Sequence, residues 1–213
     1  MKKGLAISLI GLVAAGTLAS AGSALADTTV TGVSSGETEF VGELGQFDPS
    51  THNPGDDLPP AGDLSWVKVK LPTRIAYWSD AASNHKTITS AVHTISNLSN
   101  YPVQVSLKEF KGESSSTPDI AGLKTLNINS FKLVDNAALQ TIDPATALTT
   151  KLAPGGTIPA KDGNGQVMAG SKDWNLSITG TVADSLTGSK TLNNKLVFTF
   201  KALDAQGNEV PAP

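Results

Sequence analysis

Apolar residues that recur at every second position are the feature that most constrains the fold of this chain. Val67, Val69 and Leu71 alternate with Lys68 and Lys70. Successive side chains of a β-strand point to opposite faces, so this spacing predicts a strand with one buried and one wet face. The same spacing recurs in the segments 103–107, 126–133, 174–178 and 196–200, and Phe110 continues the first of these after an expected bulge.

Turn-forming residues separate these strands. Clusters of Gly, Pro, Asn, Asp and Ser occupy residues 112–119, 154–164 and 184–190. Short strands between turn-rich loops are typical of an all-β fold, so we predict a single antiparallel β-sandwich domain over residues 63–213. The best helical segment is 135–148, which Pro144 interrupts, and it predicts at most one short helix.

The first 26 residues have the pattern of a secretory signal peptide. Lys2 and Lys3 precede an uncharged apolar stretch, and Ala24-Leu25-Ala26 supplies a small-x-small cleavage site before Asp27. Residues 27–62 then predict a short N-terminal strand and a flexible linker rich in Pro, Asp and Gly. We therefore expect a secreted, cell-surface-associated protein without a transmembrane segment after cleavage.

Charge and cysteine content narrow the possible partners. The chain has 16 Lys+Arg against 19 Asp+Glu, a formal net charge of −3, and Arg74 is its only arginine. We therefore do not expect nucleic acid as a partner, since phosphate-reading surfaces normally carry several arginines. The chain contains no cysteine. An exported protein without cysteines is typical of Gram-positive bacteria.

Motifs for catalysis or cofactor binding do not occur in a supporting context, so we expect a non-enzymatic protein without cofactor or metal. The histidines His52, His85 and His93 lack metal-ligand spacing. Residues 32–36 match G-x-S-x-G, but no helical pattern follows them as a nucleophile elbow requires. Residues 65–68 and 83–86 match S-x-x-K, but neither is accompanied by S-D-N or K-T-G. Residues 162–166 resemble the start of a calcium loop, although a hairpin turn explains Asp-Gly and Asn-Gly equally well.

Two aromatic positions are candidates for binding. Trp78 follows Tyr77, so on one strand the two rings face opposite sides, and one of them is available to stack on sugar or peptide. Trp174-Asn175-Leu176 is a literal W-x-L inside a predicted strand. With the signal and the Asp/Pro-rich stretch, it resembles the WxL-domain surface proteins of Gram-positive bacteria, although the last strand reads Phe198-Thr199-Phe200 where that family has a second W-x-L.

A second resemblance concerns residues 94–107, in which Asn97 and Asn100 lie between two strands. This strand–turn–strand segment resembles the corresponding segment of the camelysin and TasA-like exported fibre proteins. In that group an N-terminal strand of one subunit can complete the sheet of the next, and the segment with Thr28, Val30 and Val33 is a candidate donor strand.

The resemblances imply two functions. The first is a cell-surface protein bound non-covalently to peptidoglycan, or to other surface proteins, and acting in adhesion, with Trp174, Leu176 and Trp78 as family-motif or surface-binding residues. The alternative is a matrix or fibre subunit that self-assembles by strand exchange. A secreted hydrolase or metalloprotease is a third, weaker reading.

Overall fold

The computed structural model describes the backbone of residues 27–31 and 35–36, and residues 64, 66–144, 146–186, 188 and 190–210. The predicted signal peptide and nearly all of the predicted linker lie outside these residues, as do Val33, His52 and Ser65. Within the described ranges the regular structure is β, with one 3-10 turn at Ala81–Ser83 and no α-helix. The all-β, antiparallel prediction is confirmed.

Fourteen strands are described, and their bounds follow in chain order. They are β1 (Asp27–Thr31), β2 (Ser35–Gly36), β3 (Lys68–Pro72), β4 (Tyr77–Ser79), β5 (Thr87–Ser90), β6 (His93–Asn97), β7 (Val103–Gly112), β8 (Leu123–Ile128), β9 (Phe131–Asp135), β10 (Ala138–Leu139), β11 (Thr149–Leu152), β12 (Asp173–Leu176), β13 (Ile178–Val182) and β14 (Asn194–Ala202).

The strands form three sheets. The chain passes repeatedly between two of these sheets, bending as it leaves one strand and enters the next. One sheet has the order β1-β3-β6-β12 and the next has the order β10-β9-β8-β13-β5-β4. The chain passes between them at β3/β4, β5/β6 and β12/β13. At the last bend, Asn129 Oδ1 accepts the backbone N–H of Ser177 at 2.9 Å, which replaces a ladder hydrogen bond.

The third sheet has the order β11-β7-β14-β2 and closes the sandwich. Its long pair, β7 and β14, runs antiparallel from Asn194 opposite Gly112 to Ala202 opposite Val103. The register shifts at Lys108, because Phe198 lies opposite Leu107 and Val197 lies opposite Glu109. This shift is the bulge that the phase of Phe110 predicts.

One core joins all three sheets. Its fully buried members come from the alternating positions of the predicted strands and include Val69, Ile95, Val105, Ile128 and Leu176. A smaller cluster lies at the end where β7 begins, where Trp66 meets Tyr101 edge to face with ring centroids 5.2 Å apart. The alternation in the sequence thus defines the buried faces of strands such as β3, β6 and β7.

The described residues of the segment 135–148, the best helical candidate in the sequence, form no helix. Residues 135–139 instead form the end of β9, a two-residue turn and β10. Asn136 and Ala137 both have positive φ, 49° and 61°. Two consecutive left-handed residues match the right-handed twist of a hairpin, so the chain reverses here and does not continue as a helix.

Candidate functional site

A cleft opens at the end of the sandwich where β7 ends and β14 begins. It has a volume of ≈ 940 Å³ and lies between the β3–β4 bend, the β13–β14 loop and the start of β14. We call it the end cleft. Its apolar lining combines core residues with half-buried ones: Leu71, Ile75, Ile88, Phe110, Leu123, Leu126, Leu133, Ile178, Val182, Leu192, Leu196 and Phe198.

Tyr77 and Trp78 behave as the sequence predicts for neighbours on one strand. Tyr77 is half-buried and packs against the core, whereas Trp78 is 51% exposed. Both line the end cleft. Trp78 therefore presents an aromatic ring to solvent at the rim of the cleft.

The hydroxyl of Tyr77 is buried and finds no hydrogen-bond partner among the described residues. Asn194 lies nearby, but both ends of its amide hold the backbone of Asp119, at 2.8 Å to the N–H and 2.8 Å to the carbonyl. Burial raises the pKa of Tyr77 above its ordinary value, although the neighbouring Asn194 amide opposes this effect. The end cleft thus contains a neutral donor without a partner.

Charged side chains surround the mouth of the cleft. Among the described residues that line it, Arg74, Lys86, Lys190 and Lys195 are cationic, and Glu113 and Asp184 are acidic. The excess of positive charge contrasts with the acidic chain as a whole.

Two of these lysines form ion pairs. Lys86 Nζ lies 2.6 Å from Asp184, and Lys190 Nζ lies 3.1 Å from Asp119. Lys86 lowers the pKa of the Asp184 carboxyl by donating a hydrogen bond to it. The pKa of Asp119 is lowered chiefly because its carboxylate accepts the backbone N–H of Ala121, with Lys190 adding to the effect.

The W-x-L residues lie in the core. Leu176 is fully buried, and Trp174 is half-buried with its ring edge to face against Phe198, the centroids 6.2 Å apart. This contact joins the β12 sheet to the β14 sheet. Leu176 therefore has no side-chain surface for a partner, and the motif packs two sheets together.

The asparagine-containing segment 94–107 includes the end of β6, a buried polar turn and the start of β7. Asn97 Nδ2 donates to the carbonyls of Tyr101 and Ala153, both at 2.9 Å, and Asn97 Oδ1 accepts the N–H of Ser99 at 2.8 Å. The carbonyl of Ser99 accepts the N–H groups of Gly155 and Gly156. These bonds fix the 153–156 segment against the turn, so Asn97 is a structural residue.

The remaining motifs also have structural roles where they are described. Ser83 Oγ donates to the carbonyl of Asp80 and accepts the N–H of Thr87, which closes the turn between β4 and β5. His85 lies in the same turn beside Ser79, and His93 is buried beside the carbonyl of Ala76. No group of three or more metal-ligating side chains occurs in the described part of the chain.

The segment at 162–166 is a turn closed by its own aspartate. Asp162 Oδ1 accepts the N–H groups of Asn164 and Gln166, at 2.9 and 2.8 Å, and Gly165 has a φ of 75°. The segment at 204–208 has the same geometry, with Asp204 Oδ1 accepting two N–H groups. Asp162 is therefore engaged in closing a turn, although no described strand flanks this turn to make it a hairpin.

The N-terminal strand β1 belongs to a sheet of the same chain, next to β3. Strand β1 pairs with β3 over five residues, with Thr28 opposite Leu71 and Val30 opposite Val69. β3 is its one partner among the described strands, so β1 forms an edge of the sandwich.

No protein family, curated protein or solved structure matches this chain. No described helix is long and apolar enough to cross a membrane. The end cleft was missed by the sequence analysis, because its lining comes from segments far apart in the chain that alternation alone does not bring together.

Proposed function

We propose that this chain is an exported, non-enzymatic protein of the cell surface, held non-covalently on the cell wall and acting in surface interaction or adhesion. The observation that supports this proposal is Trp78, a large aromatic side chain left 51% exposed. A flat exposed ring stacks well on the apolar face of a sugar or on a peptide. The exposed Arg74, which also lines the cleft, adds a cation that suits the carboxylates of wall peptides.

Contact with the wall is assigned to Trp78 rather than to the W-x-L residues. The ring of Trp174 is engaged with Phe198, and Leu176 is buried. A partner cannot reach Leu176 without opening the sandwich. Trp174 and Leu176 then contribute to packing, and the proposed binding surface is a separate one.

Retention on purified peptidoglycan after a high-salt wash tests the proposal. The processed protein, without residues 1–26, should co-sediment with the wall material, and Trp78→Ala should reduce its affinity by about tenfold, equivalent to roughly 1.4 kcal/mol of binding free energy. Leu139→Ala is the matched control, since Leu139 is also exposed, at 44%, and does not line the cleft. Absence of retention for the unaltered protein would rule out the wall-binding role.

A second function, assembly into a fibre by strand exchange, is favoured by the position of β1. This strand is terminal and lies at a sheet edge, where it pairs with β3 alone among the described strands. A β1 from another copy could therefore make the same backbone hydrogen bonds to β3. The exchange needs no rearrangement of the core strands.

A disulfide trap distinguishes exchange from closure within one chain. Because the chain has no cysteine, Val30→Cys with Val69→Cys introduces a single directly opposed pair. Oxidation at high protein concentration should give covalent multimers if strands exchange, and cross-linked monomer if they do not. A product that stays monomeric at every concentration would rule out exchange, and Val30→Cys with Lys161→Cys controls for random oxidation.

A further inference from the structure

We propose that the end cleft binds an amphiphile that has an apolar chain and an anionic carboxylate head. This inference concerns the interior of the cleft and not the outer face of Trp78, and Arg74 is the one residue that it shares with the wall-binding proposal.

The size and lining of the cleft fit the apolar part of such a ligand. Its volume of ≈ 940 Å³ lies within the roughly 300–1,000 Å³ of small-molecule sites. Both layers of the sandwich contribute apolar side chains to it, such as Ile75 and Ile88 from one layer and Phe110 and Leu196 from the other. Ile75 and Leu196 are only half-buried, although they pack against the core. A bound hydrocarbon chain would remove this apolar surface from water, which is favourable in proportion to the area covered.

The head group is indicated by the polar atoms of the cleft. Tyr77 carries a buried hydroxyl without a hydrogen-bond partner among the described residues, and an unsatisfied buried donor costs free energy until it finds an acceptor. A carboxylate oxygen is such an acceptor. The phenol can donate one hydrogen bond to it while staying neutral, once the side chains that cover the buried hydroxyl move aside for the ligand.

The sign of the head group is indicated by the charges at the mouth. Lys86 and Lys190 are neutralised by Asp184 and Asp119. Arg74 and Lys195 also line the cleft, and neither has a carboxylate partner among the described residues. Glu113 is the one further acidic residue of the described lining, so the cations remain in excess. An anionic head would pair with these two cations, whereas an ammonium head would be repelled.

Binding of three probes that share one apolar chain tests the proposal. The processed protein, freed of carried lipid, is titrated by calorimetry with dodecanoate, dodecanol and dodecylammonium below their aggregation limits. We expect saturable one-to-one binding of dodecanoate, at least tenfold tighter than that of the other two. Non-saturable uptake, or equal affinity for all three probes, would overturn the proposal.

Variants then assign the binding to the cleft. Arg74→Gln combined with Lys195→Gln should weaken dodecanoate binding about tenfold and leave dodecanol unchanged, and Tyr77→Phe should weaken dodecanoate binding severalfold. Leu196→Trp should fill the cleft and abolish binding of both probes, with circular dichroism to confirm folding. Lys161→Gln, an exposed lysine outside the cleft, is the matched control. Dodecanoate affinity that none of the cleft variants changes would place the ligand elsewhere and refute the assignment.

Discussion

A single buried asparagine fixes the turn between β6 and β7. Asn97 is fully buried and makes three hydrogen bonds to backbone groups of Ser99, Tyr101 and Ala153. Its neighbours approach so closely that a Cβ on Gly155 would overlap the carbonyl of Asn97. The turn is therefore specified by polar groups that alternation of apolar residues does not reveal.

Replacing this side chain should be costly. Asn97→Ala removes three hydrogen bonds from buried backbone groups, and we expect a loss of about 3 kcal/mol in the free energy of unfolding. Asn175→Ala, at an exposed residue with one side-chain bond to Thr94, should cost less than about 1 kcal/mol. Urea denaturation of both variants measures the difference, and equal losses would contradict the role assigned to Asn97.

Leu176 shows how the W-x-L motif contributes to stability. Its side chain is fully buried in the core that joins the three sheets. Leu176→Ala leaves a cavity, and we expect a loss of about 2–5 kcal/mol. If Leu176 served a surface partner instead, the truncation would change stability as little as Leu139→Ala does, within roughly 0.5 kcal/mol.

Tyr77 gives the protein a pH dependence at the alkaline side. Its pKa is raised by burial, so the folded state keeps the phenolic proton where the unfolded state has lost it. The stability contributed by neutral Tyr77 is complete below the unfolded pKa of 10.0 and declines as pH rises above it. Tyr77→Phe removes a hydroxyl without a described partner, so its stability at pH 7 should stay within about 1 kcal/mol of the unaltered protein.

The difference between the two proteins isolates this group. Between pH 8 and pH 11 the denaturation midpoint should fall further for the unaltered protein than for Tyr77→Phe, because only the unaltered protein has the buried phenol. All other titrating groups are the same in the two proteins. A parallel decline would show that the phenol does not titrate differently in the folded state.

At the scale of elements, the sequence predicts the strands well and their connections poorly. Alternation places Val69, Val105 and Phe198 on buried faces, as the structure confirms. It also predicts the bulge before Phe110. Alternation does not show where a run bends from one sheet into another, because the phase of the apolar residues continues through Ser177 while the hydrogen-bonding partner changes.

The same reasoning explains the missed hairpin. Residues 135–148 contain residue types compatible with a helix, but the turn depends on two left-handed residues, one of which is alanine. Left-handed backbone at a non-glycine residue costs roughly 1–2 kcal/mol, and turn predictions look for Asn-Gly at this place. Asn136-Ala137 lacks that signal.

Relief of this strain is a test of the hairpin. Ala137→Gly creates Asn-Gly at a φ of 61°, and we expect the free energy of unfolding to rise by about 0.5–1 kcal/mol. Ala138→Gly is the matched control, since the next residue lies in β10 and should be destabilised by the same change. Thermal denaturation of the two variants should therefore shift the midpoint in opposite directions.

At the scale of the whole molecule, the sandwich is closed at one end and open at the other. The end where β7 begins is filled by the Asn97 turn and by the Trp66–Tyr101 pair. The opposite end is the end cleft, to which the edge strand β4 and the start of β14 both contribute lining residues. The residues at each end can be read from the sequence, but that they lie close together cannot be predicted, because they come from segments that are far apart in the chain.

Ion pairs between distant segments predict a modest acid sensitivity. Lys86–Asp184 and Lys190–Asp119 connect loops around the cleft, and Lys201–Glu209 connects β14 to the last described residues. The pKa values of Asp119, Asp184 and Glu209 are all lowered, so each carboxylate is more easily protonated in the unfolded state than in the folded state. Their contribution is therefore complete above the unfolded pKa values, 3.8 and 4.5, and is lost as pH falls through the lower folded values.

We expect these three carboxylates to have little effect on how the urea midpoint varies with pH above about pH 5, and to make the midpoint decline below about pH 4. Because all three carboxylates are exposed, the decline should be shallow and should weaken further in 1 M salt, where charges are screened within about 3 Å. Lys86→Gln with Lys201→Gln should flatten it, since two carboxylates lose the donors that lower their pKa values. Lys161→Gln, which removes a lysine outside these pairs, should leave the slope unchanged. An acid decline equally steep in both variants would assign the sensitivity to other carboxylates and not to these loop contacts.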